Sequence, residues 1–338
     1  HHACPAAAAA DASSDSNPQG HSRAVGLDYA YFGARDPEQD ENASAPDYVC
    51  PSACSVLILE DMKHEQILRS RLSGDMMKHA AAVICLDLKA PWTMLEDLRS
   101  WLEVLQRMTS EMMQLLPLSE QDQLREKVTG TISNYKEPGS EKDDMGDSGS
   151  ASLVYNMGIP IIVVVTRADG ASALDSQKTA GWSQTIEAYL RNECLSYGAA
   201  LIYTMCQAKN TRNVDTLFDY IMSRLYAFPL KKKPQVPSRD ALFVPTGWDT
   251  QTKVDQAAAQ LPGGGGLERS FESVVVSLEA PPGATPTTEE CEDMQTFLRR
   301  HAAILQKLGG GGASAVRKSV AVGLGEQGEA RRPLAVAA

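Results

Sequence analysis

The chain has 338 residues, of which 43% are hydrophobic, so it can bury the core of one large globular domain or of two small ones. Its formal net charge of -11 at pH 7 argues against nucleic acid or an anionic membrane surface as the main partner. The basic run at 231–233 is too short to reverse that balance. No apolar run approaches the ~20 residues that cross a bilayer, so membrane insertion is not expected.

The seven cysteines predict neither a disulfide framework nor a metal site. Cys85, Cys194 and Cys206 lie in apolar runs, where a free thiol is expected to act as a small core residue. Cys50 and Cys54 are close in sequence, but no cluster of His or Cys with metal-ligand spacing accompanies them. This use of cysteine fits the reducing cytoplasm, and no metal or cofactor is predicted.

The N-terminal part predicts a disordered segment followed by a hairpin. Residues 1–23 have little to bury, and the chain begins with His and without the apolar core of a signal peptide, which suggests a fragment. An alternating apolar stretch at 27–33 and a β-branched run at 55–60 are typical of strands. A loop rich in Asp, Glu, Pro and Ala joins these two strands at 35–49.

The middle of the chain predicts one buried strand and two helices. The continuous apolar run at 80–88 is typical of a strand covered on both faces. A helix follows, for which Thr93 and Glu96 have the spacing of a capping box. A second helix is predicted from Ser119 to Thr131, and the acidic, Gly-rich residues 137–152 indicate a flexible insert.

Alternation of strands and helices then continues to about residue 260. Further strands are predicted at 160–165, 199–204 and 241–245. Between them lie amphipathic helices, the clearest of which spans residues 214–225. Apolar strands that alternate with helices indicate an α/β domain, with a doubly wound parallel sheet and helices on both faces, over residues 24–260.

Two glycine runs, at 262–266 and 309–312, divide the C-terminal part of the chain. Residues 267–308 are predicted to be an extension of the main domain, with a helix at 289–308. Residues 309–338 are of low complexity and are predicted to be a disordered tail.

The expected nucleotide chemistry of an α/β domain is incomplete in this sequence. No P-loop, G-x-x-x-x-G-K-[ST], occurs. The G-x-G-x-x-G string at 323–328 lies in the low-complexity tail, without the predicted strand before it and helix after it that a dinucleotide-binding turn has. Thr166, Arg167 and Asp169 end a predicted strand where a GTPase carries its guanine-binding motif, and the Asp169 carboxylate has suitable chemistry. A polar end to a buried strand is the commoner explanation of so short a motif, and it is the one favoured here. His64 stands three residues after Asp61, where a GTPase has the glycine that senses the γ-phosphate.

No other catalytic site emerges from the sequence. The nucleophile elbow G-x-S-x-G does not occur, and neither His64 nor His79 stands next to a nucleophile in such a setting. Acidic pairs such as Glu60 and Asp61 are adjacent in sequence, which says nothing about their separation in space. We therefore predict that the chain is not an enzyme and has no catalytic residues.

Several blocks of sequence, in order between about Gly26 and Leu308, resemble the dynein light intermediate chain family. They are GLDYAYF, VLILED, CLDLKAPWTMLEDLRSW, NMGIPIIVVVTRAD, LSYGAALIYT, LYAFPL and FVPTGWD. The helix start at Pro91 and Trp92, the strand at 197–204 and the Gly-Trp-Asp turn at 247–249 are similar to family motifs. Many blocks in the right order are more specific than any single motif.

The resemblance implies a Ras-like fold of the P-loop NTPase type, here lacking its first strand and P-loop. It also implies binding to the tail of the dynein heavy chain, a C-terminal region that recruits cargo adaptors through a short amphipathic helix, and a microtubule-associated location in the cytoplasm. The chemistry of ATP would belong to the heavy chain. An adaptor-binding helix is not evident here, because Gly and Pro interrupt the weak apolar face of residues 314–338.

Large apolar residues near the ends of elements are the candidate contacts with partner proteins. Aromatic residues are frequent anchors of interfaces, although core packing is their commoner role. The candidates are Trp92, Trp101, Phe228 and Trp248, together with Asp249 of the Gly-Trp-Asp turn.

Two other functions remain open at this point. The chain could be a GTP-binding Ras-like protein whose P-loop lies outside this sequence, or a light intermediate chain of the ciliary retrograde dynein. The acidic insert and the extended C-terminal region favour the cytoplasmic form of dynein.

The missing strand also has a consequence for folding. In a Ras-like sheet the strand before the P-loop lies between the hairpin and the strand at 80–88, and residues 1–23 contain no β-branched run that could replace it. We therefore expect a gap with unpaired backbone groups, which makes residues 27–60 the least protected part of the chain.

Overall fold

Strands form where the sequence has runs of β-branched and aliphatic residues. In the computed structural model, the described residues are 26–34, 52–138, 153–175, 179–207, 210–236, 240–261, 266–277, 294–308 and 335–337. The main sheet strands are β1 (Leu27–Ala34), β2 (Ser52–Leu59), β3 (Ala82–Asp87), β4 (Ile161–Thr166) and β5 (Ala200–Tyr203). The shorter ones are β6 (Met205–Gln207), β7 (Asn210–Arg212), β8 (Phe243–Val244) and β9 (Ala335–Ala337).

The chain divides into two units by its internal contacts. One consists of His1–Val276 with Arg332–Ala338, and the other is Ser277–Arg331. The helices of the first unit are α1 (Glu65–Arg69), α2 (Met94–Gln114), α3 (Leu118–Ser133), α4 (Trp182–Tyr197), α5 (Val214–Tyr226), α6 (Gln251–Ala259) and α7 (Phe271–Val274). In the second unit the described helix is α8 (Met294–Leu308), which lies within the helix predicted at 289–308.

The sheet is mixed: its middle is parallel as expected, and the predicted hairpin β1–β2 is antiparallel. The expectation of a parallel strand was wrong for β8, which is antiparallel to β5. Among the described residues its order is β1-β2-β9-β3-β4-β5-β8. Only the pairs β3–β4 and β4–β5 are parallel, whereas β1–β2 and β5–β8 are antiparallel. An apolar run shows that a strand is buried on both faces but does not encode its direction, so the sequence could not distinguish the two arrangements.

Alternate residues of the central strands enter two separate cores. Ile161, Val163 and Val165 of β4 belong to the larger core, which also contains apolar residues of α2 and α4. Ile162 and Val164 belong to a smaller core, to which α5 contributes Tyr220. The predicted cover on both faces of the sheet is therefore present, and most of the helices contribute to the larger core.

The gap expected between β2 and β3 is bridged by the C-terminal strand β9. Its three residues run antiparallel to both neighbours, opposite 57–59 of β2 and 82–84 of β3. The prediction that all of 309–338 is a disordered tail is therefore corrected for 335–337. A short apolar segment can fill this place because β2 and β3 both present backbone groups that need partners.

Two local predictions were also wrong. Thr93 does not form a capping box, because its backbone is already near the helical region and its hydroxyl donates to the carbonyl oxygen of Ala90, 3.2 Å away. Cys206 is exposed, whereas Cys194 is buried. Burial raises the pKa of Cys85 to about 11, in keeping with a thiol inside the fold. The segments predicted at 1–23 and most of the insert at 137–152 lie outside the described residues.

Deleting residues 332–338 from the full chain tests the role of β9. We expect backbone amides at 57–59 and 82–84 to exchange with solvent at least about tenfold faster, because each lost hydrogen bond contributes ~1 kcal/mol. The measurement is hydrogen exchange read by mass spectrometry. Amides at 161–165, which pair with β3 and β5, are the internal reference and should stay protected. Unchanged exchange at 57–59 would show that β9 contributes nothing to the sheet.

Candidate interaction site

The Gly-Trp-Asp turn follows β8 and leads into α6, and its glycine is required by the backbone. Gly247 has a φ of 87°, in the left-handed region that side chains disfavour. A Cβ atom at this position would lie 2.7 Å from the carbonyl oxygen of Ile132 and 2.8 Å from Cβ of Tyr135. The turn can therefore pack against the end of α3 only with glycine here.

Asp249 is held by a buried ion pair with Arg191 of α4. Arg191 Nε lies 2.8 Å from Asp249 Oδ2, and a second guanidinium nitrogen lies 2.8 Å from Oδ1, so the contact is bidentate. Glu187 is a second acidic partner of Arg191, with its Oε1 3.1 Å from the guanidinium nitrogen Nη1. Burial opposes the charge on Arg191, but the hydrogen bonds and charges of Asp249 and Glu187 outweigh it and raise its pKa.

Trp248 lies beside two cations. Its ring centroid is 5.8 Å from Cζ of Arg191 and 3.9 Å from Nζ of Lys253, both within the range of cation–π contacts. Lys253 Nζ also donates a hydrogen bond to the Trp248 carbonyl oxygen at 2.7 Å. Desolvation lowers the pKa of Lys253 despite the nearby carboxylate of Asp249. The turn thus joins α4, β8 and α6 into one cluster, which we call the Gly-Trp-Asp clamp.

The remaining predicted contact residues lie on other elements. Trp101 is buried in α2 as part of the larger core, and Trp92 is half-buried against that core just before α2. Phe228 follows α5 and stacks on Tyr226, with ring centroids 5.6 Å apart. The structure therefore gives Trp101, Trp248 and Asp249 clear packing roles, and contact with a partner protein stays a prediction for all five candidates.

The residues of the guanine-type motif lie together at the carboxyl end of β4, in the middle of the sheet. Thr166 ends β4 and donates its hydroxyl hydrogen to the carbonyl oxygen of Leu86. Arg167 has a positive φ of 59°, and its guanidinium lies 3.3 Å from Asp87 Oδ2. Asp169 Oδ2 accepts a hydrogen bond from Gln207 Nε2 at 2.8 Å. The carboxylate that could recognise a guanine ring is therefore already engaged within the chain.

An exposed apolar surface at the turn between α2 and α3 was missed by the sequence reasoning. Leu115 and Leu118 in this turn are 68% and 76% exposed. Val154 and Tyr155 are also exposed, and they line a cleft of about 340 Å³ between α2 and α3. The available signal was the leucine-rich run at 115–118, but Leu116 in the same run is buried, so which leucines are exposed depends on how the two helices pack. We call the four exposed residues the α2–α3 patch.

Neither a membrane span nor a metal centre is found in the described part of the chain. No helix there is long and apolar enough to cross a bilayer. Within the same residues, no group of three or more His, Cys, Asp or Glu side chains is placed to hold an ion.

Comparison with known proteins identifies the family to which this fold and these motifs belong. The family model for the dynein light intermediate chain matches residues 18–333. The chain belongs to the dynein light intermediate chain family. This confirms the resemblance seen in the sequence blocks.

Individual relatives agree with the family model. The chain is 29% identical over 311 residues to cytoplasmic dynein 1 light intermediate chain 1 of Mus musculus and equally to that of Homo sapiens. Each match covers 83% of this chain and 55% of the relative, so the chain spans about half the length of these proteins. The Dictyostelium discoideum protein of the same name is 27% identical over 248 residues, covering 57% of this chain and 48% of its own.

A solved structure supports the fold. The crystal structure of a dynein light intermediate chain's conserved domain matches with a TM-score of 0.55 at 21% identity, covering 77% of this chain and 91% of that one. The predicted α/β fold class is thereby confirmed, with the sheet mixed.

The clamp in this light intermediate chain gives a direct test of the Asp249 contact. Asp249→Ala should destabilise the full chain by about 3–5 kcal/mol, because it leaves the Arg191 charge buried without its bidentate partner. Urea denaturation followed by circular dichroism measures the change. The matched control is Asp122→Ala, which removes an exposed carboxylate 3.8 Å from Arg125 and should change stability by less than about 0.5 kcal/mol. Equal effects of the two substitutions would show that the clamp is not a stabilising contact.

Proposed function

We propose that this chain is a non-catalytic accessory subunit of the cytoplasmic dynein motor, which binds the tail of the heavy chain and links the motor to cargo adaptors. The observation that carries the proposal is the family match over residues 18–333. Relatives named as light intermediate chains of cytoplasmic dynein 1 support the cytoplasmic form over the ciliary one, and with it a location on the cytoskeleton in the cytoplasm.

The contacts of Arg167 and Asp169, just after the carboxyl end of β4, support a non-catalytic role. Asp169 accepts a hydrogen bond from Gln207, and Arg167 pairs with Asp87, so both side chains have partners within the chain. The sequence also contains no P-loop string, whose amides and lysine would hold the phosphates.

For the heavy chain, we propose the α2–α3 patch as the binding surface. Four large apolar side chains in or near the turn between α2 and α3 are exposed, and exposed apolar groups often mark protein interfaces. Leu115 and Leu118 supply flexible aliphatic contacts, while Tyr155 supplies an aromatic ring, which is a frequent anchor of interfaces. The cleft of about 340 Å³ beside Val154 and Tyr155 can accept a side chain from the partner.

Adaptor binding rests on the family resemblance alone. Gly and Pro interrupt the apolar face of residues 314–338, so that segment does not supply an evident adaptor helix. The helix α8 is described, and it belongs to the end of the region that the family model matches.

Recovery of the heavy chain from source cells tests both the subunit and the surface. The tagged full chain should recover a dynein heavy chain, identified by mass spectrometry, under conditions that keep the motor intact. Leu118→Asp should reduce this recovery about tenfold or more, because it puts a charge in place of a leucine whose burial in the interface contributes ~2 kcal/mol.

Ile67→Asp is the matched control, since Ile67 is an exposed aliphatic residue on α1, outside the patch. If the unaltered chain recovers no heavy chain, the subunit proposal fails. If Leu118→Asp binds as well as Ile67→Asp, the subunit proposal stands and the α2–α3 patch is the wrong surface.

A second measurement addresses nucleotide. We expect the purified chain to release neither GTP, GDP nor ATP on denaturation, because nothing in this sequence can supply the clustered amides and lysine that phosphates need. Chromatography of the released material against a Ras-like GTPase control checks this. Stoichiometric GDP or GTP would support the alternative of a GTP-binding protein.

A further inference from the structure

A cleft of about 270 Å³ opens between α3 and α5, near the amino ends of the central strands. Pro160, which directly precedes β4, and Gly198, which lies just before β5, both line it. Side chains of α3 and α5 line the rest, among them those of Lys127 and Arg224. The residues of the guanine-type motif lie at the other end of β4, so the cleft is separate from them.

Two cations face this cleft without a carboxylate beside them. None of the described residues that line the cleft is Asp or Glu. An acidic partner on the same helix would stand three or four residues away, but no such position around Lys127 or Arg224 is acidic. Within the described residues neither cation forms an ion pair, whereas Arg125, two residues before Lys127, has Asp122 at 3.8 Å.

Arg224 is held in place but lacks acceptors for its N–H groups. Its Cζ atom lies 5.3 Å from the ring centroid of Tyr220, which is buried in the smaller core. The Nε atom of Arg224 is buried, and the described residues offer it no hydrogen-bond partner. A guanidinium has five N–H donors, and a buried donor without an acceptor is destabilising. The side chain is therefore fixed by stacking and short of an acceptor.

Ser223 adds a neutral donor to the two cations. Among the described residues its hydroxyl group has no hydrogen-bond partner. Thr131 and Thr246 also line the cleft, but their hydroxyls already donate to the carbonyl oxygens of Lys127 and Gly198, at 2.9 and 3.1 Å. The groups left to donate to a ligand are therefore two cations and one hydroxyl.

Helix ends account for only one of these cations. A cation in the last turn of a helix offsets the partial negative charge of the helix end, and Arg224 lies in the last turn of α5. Lys127 is more than one turn away from Ser133, where α3 ends, so that effect does not reach it. In a chain of net charge -11, an unpaired lysine beside an unpaired arginine indicates an anionic ligand.

We propose that this cleft binds the phosphate group of a small phosphomonoester. Such a group carries a charge of about -1.5 to -2 at pH 7, which matches two cations, whereas one carboxylate would leave a cation unpaired. The guanidinium fork fits phosphate oxygens, and the lysine ammonium acts as a point charge beside it. Val128, Pro160 and Ala227 line the same cleft and offer apolar surface to the organic part of the ligand.

Phosphorus NMR of phenyl phosphate in the presence of the full chain tests the proposal, at constant ionic strength set with chloride. Binding should broaden the phosphorus signal in a saturable way. Lys127→Gln should weaken binding about tenfold or more, because a charge-assisted hydrogen bond is lost. Lys127→Arg keeps the charge and should retain most of the affinity. Arg125→Gln removes the same charge from α3 outside the cleft and should leave the affinity unchanged.

The lysine variants keep the test decisive, because Lys127 is exposed and its substitution does not disturb the core. Arg224→Gln should also weaken binding, although it removes the stacking on Tyr220 as well. Inorganic phosphate is the second probe, and it should bind more weakly than phenyl phosphate; equal affinities would overturn the choice of a phosphomonoester. No saturable broadening with either probe, or equal affinities of Lys127→Gln and Arg125→Gln, would overturn the site itself. Neither result bears on binding to the heavy chain.

Discussion

The amides and carbonyls of β2 and β3 lie inside a sheet, where each needs a hydrogen-bond partner because no water can replace it. This requirement explains how the strands between β2 and β5 are paired. It draws the three residues of β9 into the place between β2 and β3, although their sequence, Ala-Val-Ala, is an unremarkable part of the tail. On the parallel side, β3, β4 and β5 satisfy one another along continuous aliphatic runs. At the outer edge, β1 pairs with β2 on one side, and no described strand lies on its other side.

The Gly-Trp-Asp clamp shows how a short motif can be structural and still resemble an interface. A tryptophan near the end of an element is a reasonable anchor for a partner, but here the ring of Trp248 lies beside Arg191 and Lys253. The carboxylate of Asp249 is buried, and a buried carboxylate must be paired. Gly247 lets the backbone approach α3 closely enough for this arrangement. Each residue of the motif is therefore needed for a different structural reason, and together they fix α6 against α4.

The strands and helices could be predicted largely because their apolar periods are strong. The run at 160–165 gave β4 within one residue, and the period at 214–225 gave α5. The antiparallel direction of β8 could not be predicted, since a strand buried on both faces has the same apolar run whichever way it points. The partner of Asp249 is Arg191, 58 residues earlier, and no local pattern encodes a contact across that distance. Exposure of Leu115 and Leu118 depends in the same way on the packing of α2 against α3, so the α2–α3 patch was invisible in the sequence.

The polar residues at the end of β4 and the α2–α3 patch differ in how much they contribute to stability. Arg167 pairs with Asp87 at the surface, where an ion pair contributes at most ~1 kcal/mol, so stability alone places little demand on these residues. The two leucines of the patch, in contrast, are about two-thirds or more exposed, so most of their apolar surface stays in water and contributes little to the stability of the fold. A surface of this kind is best explained by a partner that covers it. In this chain the polar side chains at the end of β4 find partners within the fold, whereas the leucines of the turn are left exposed by it.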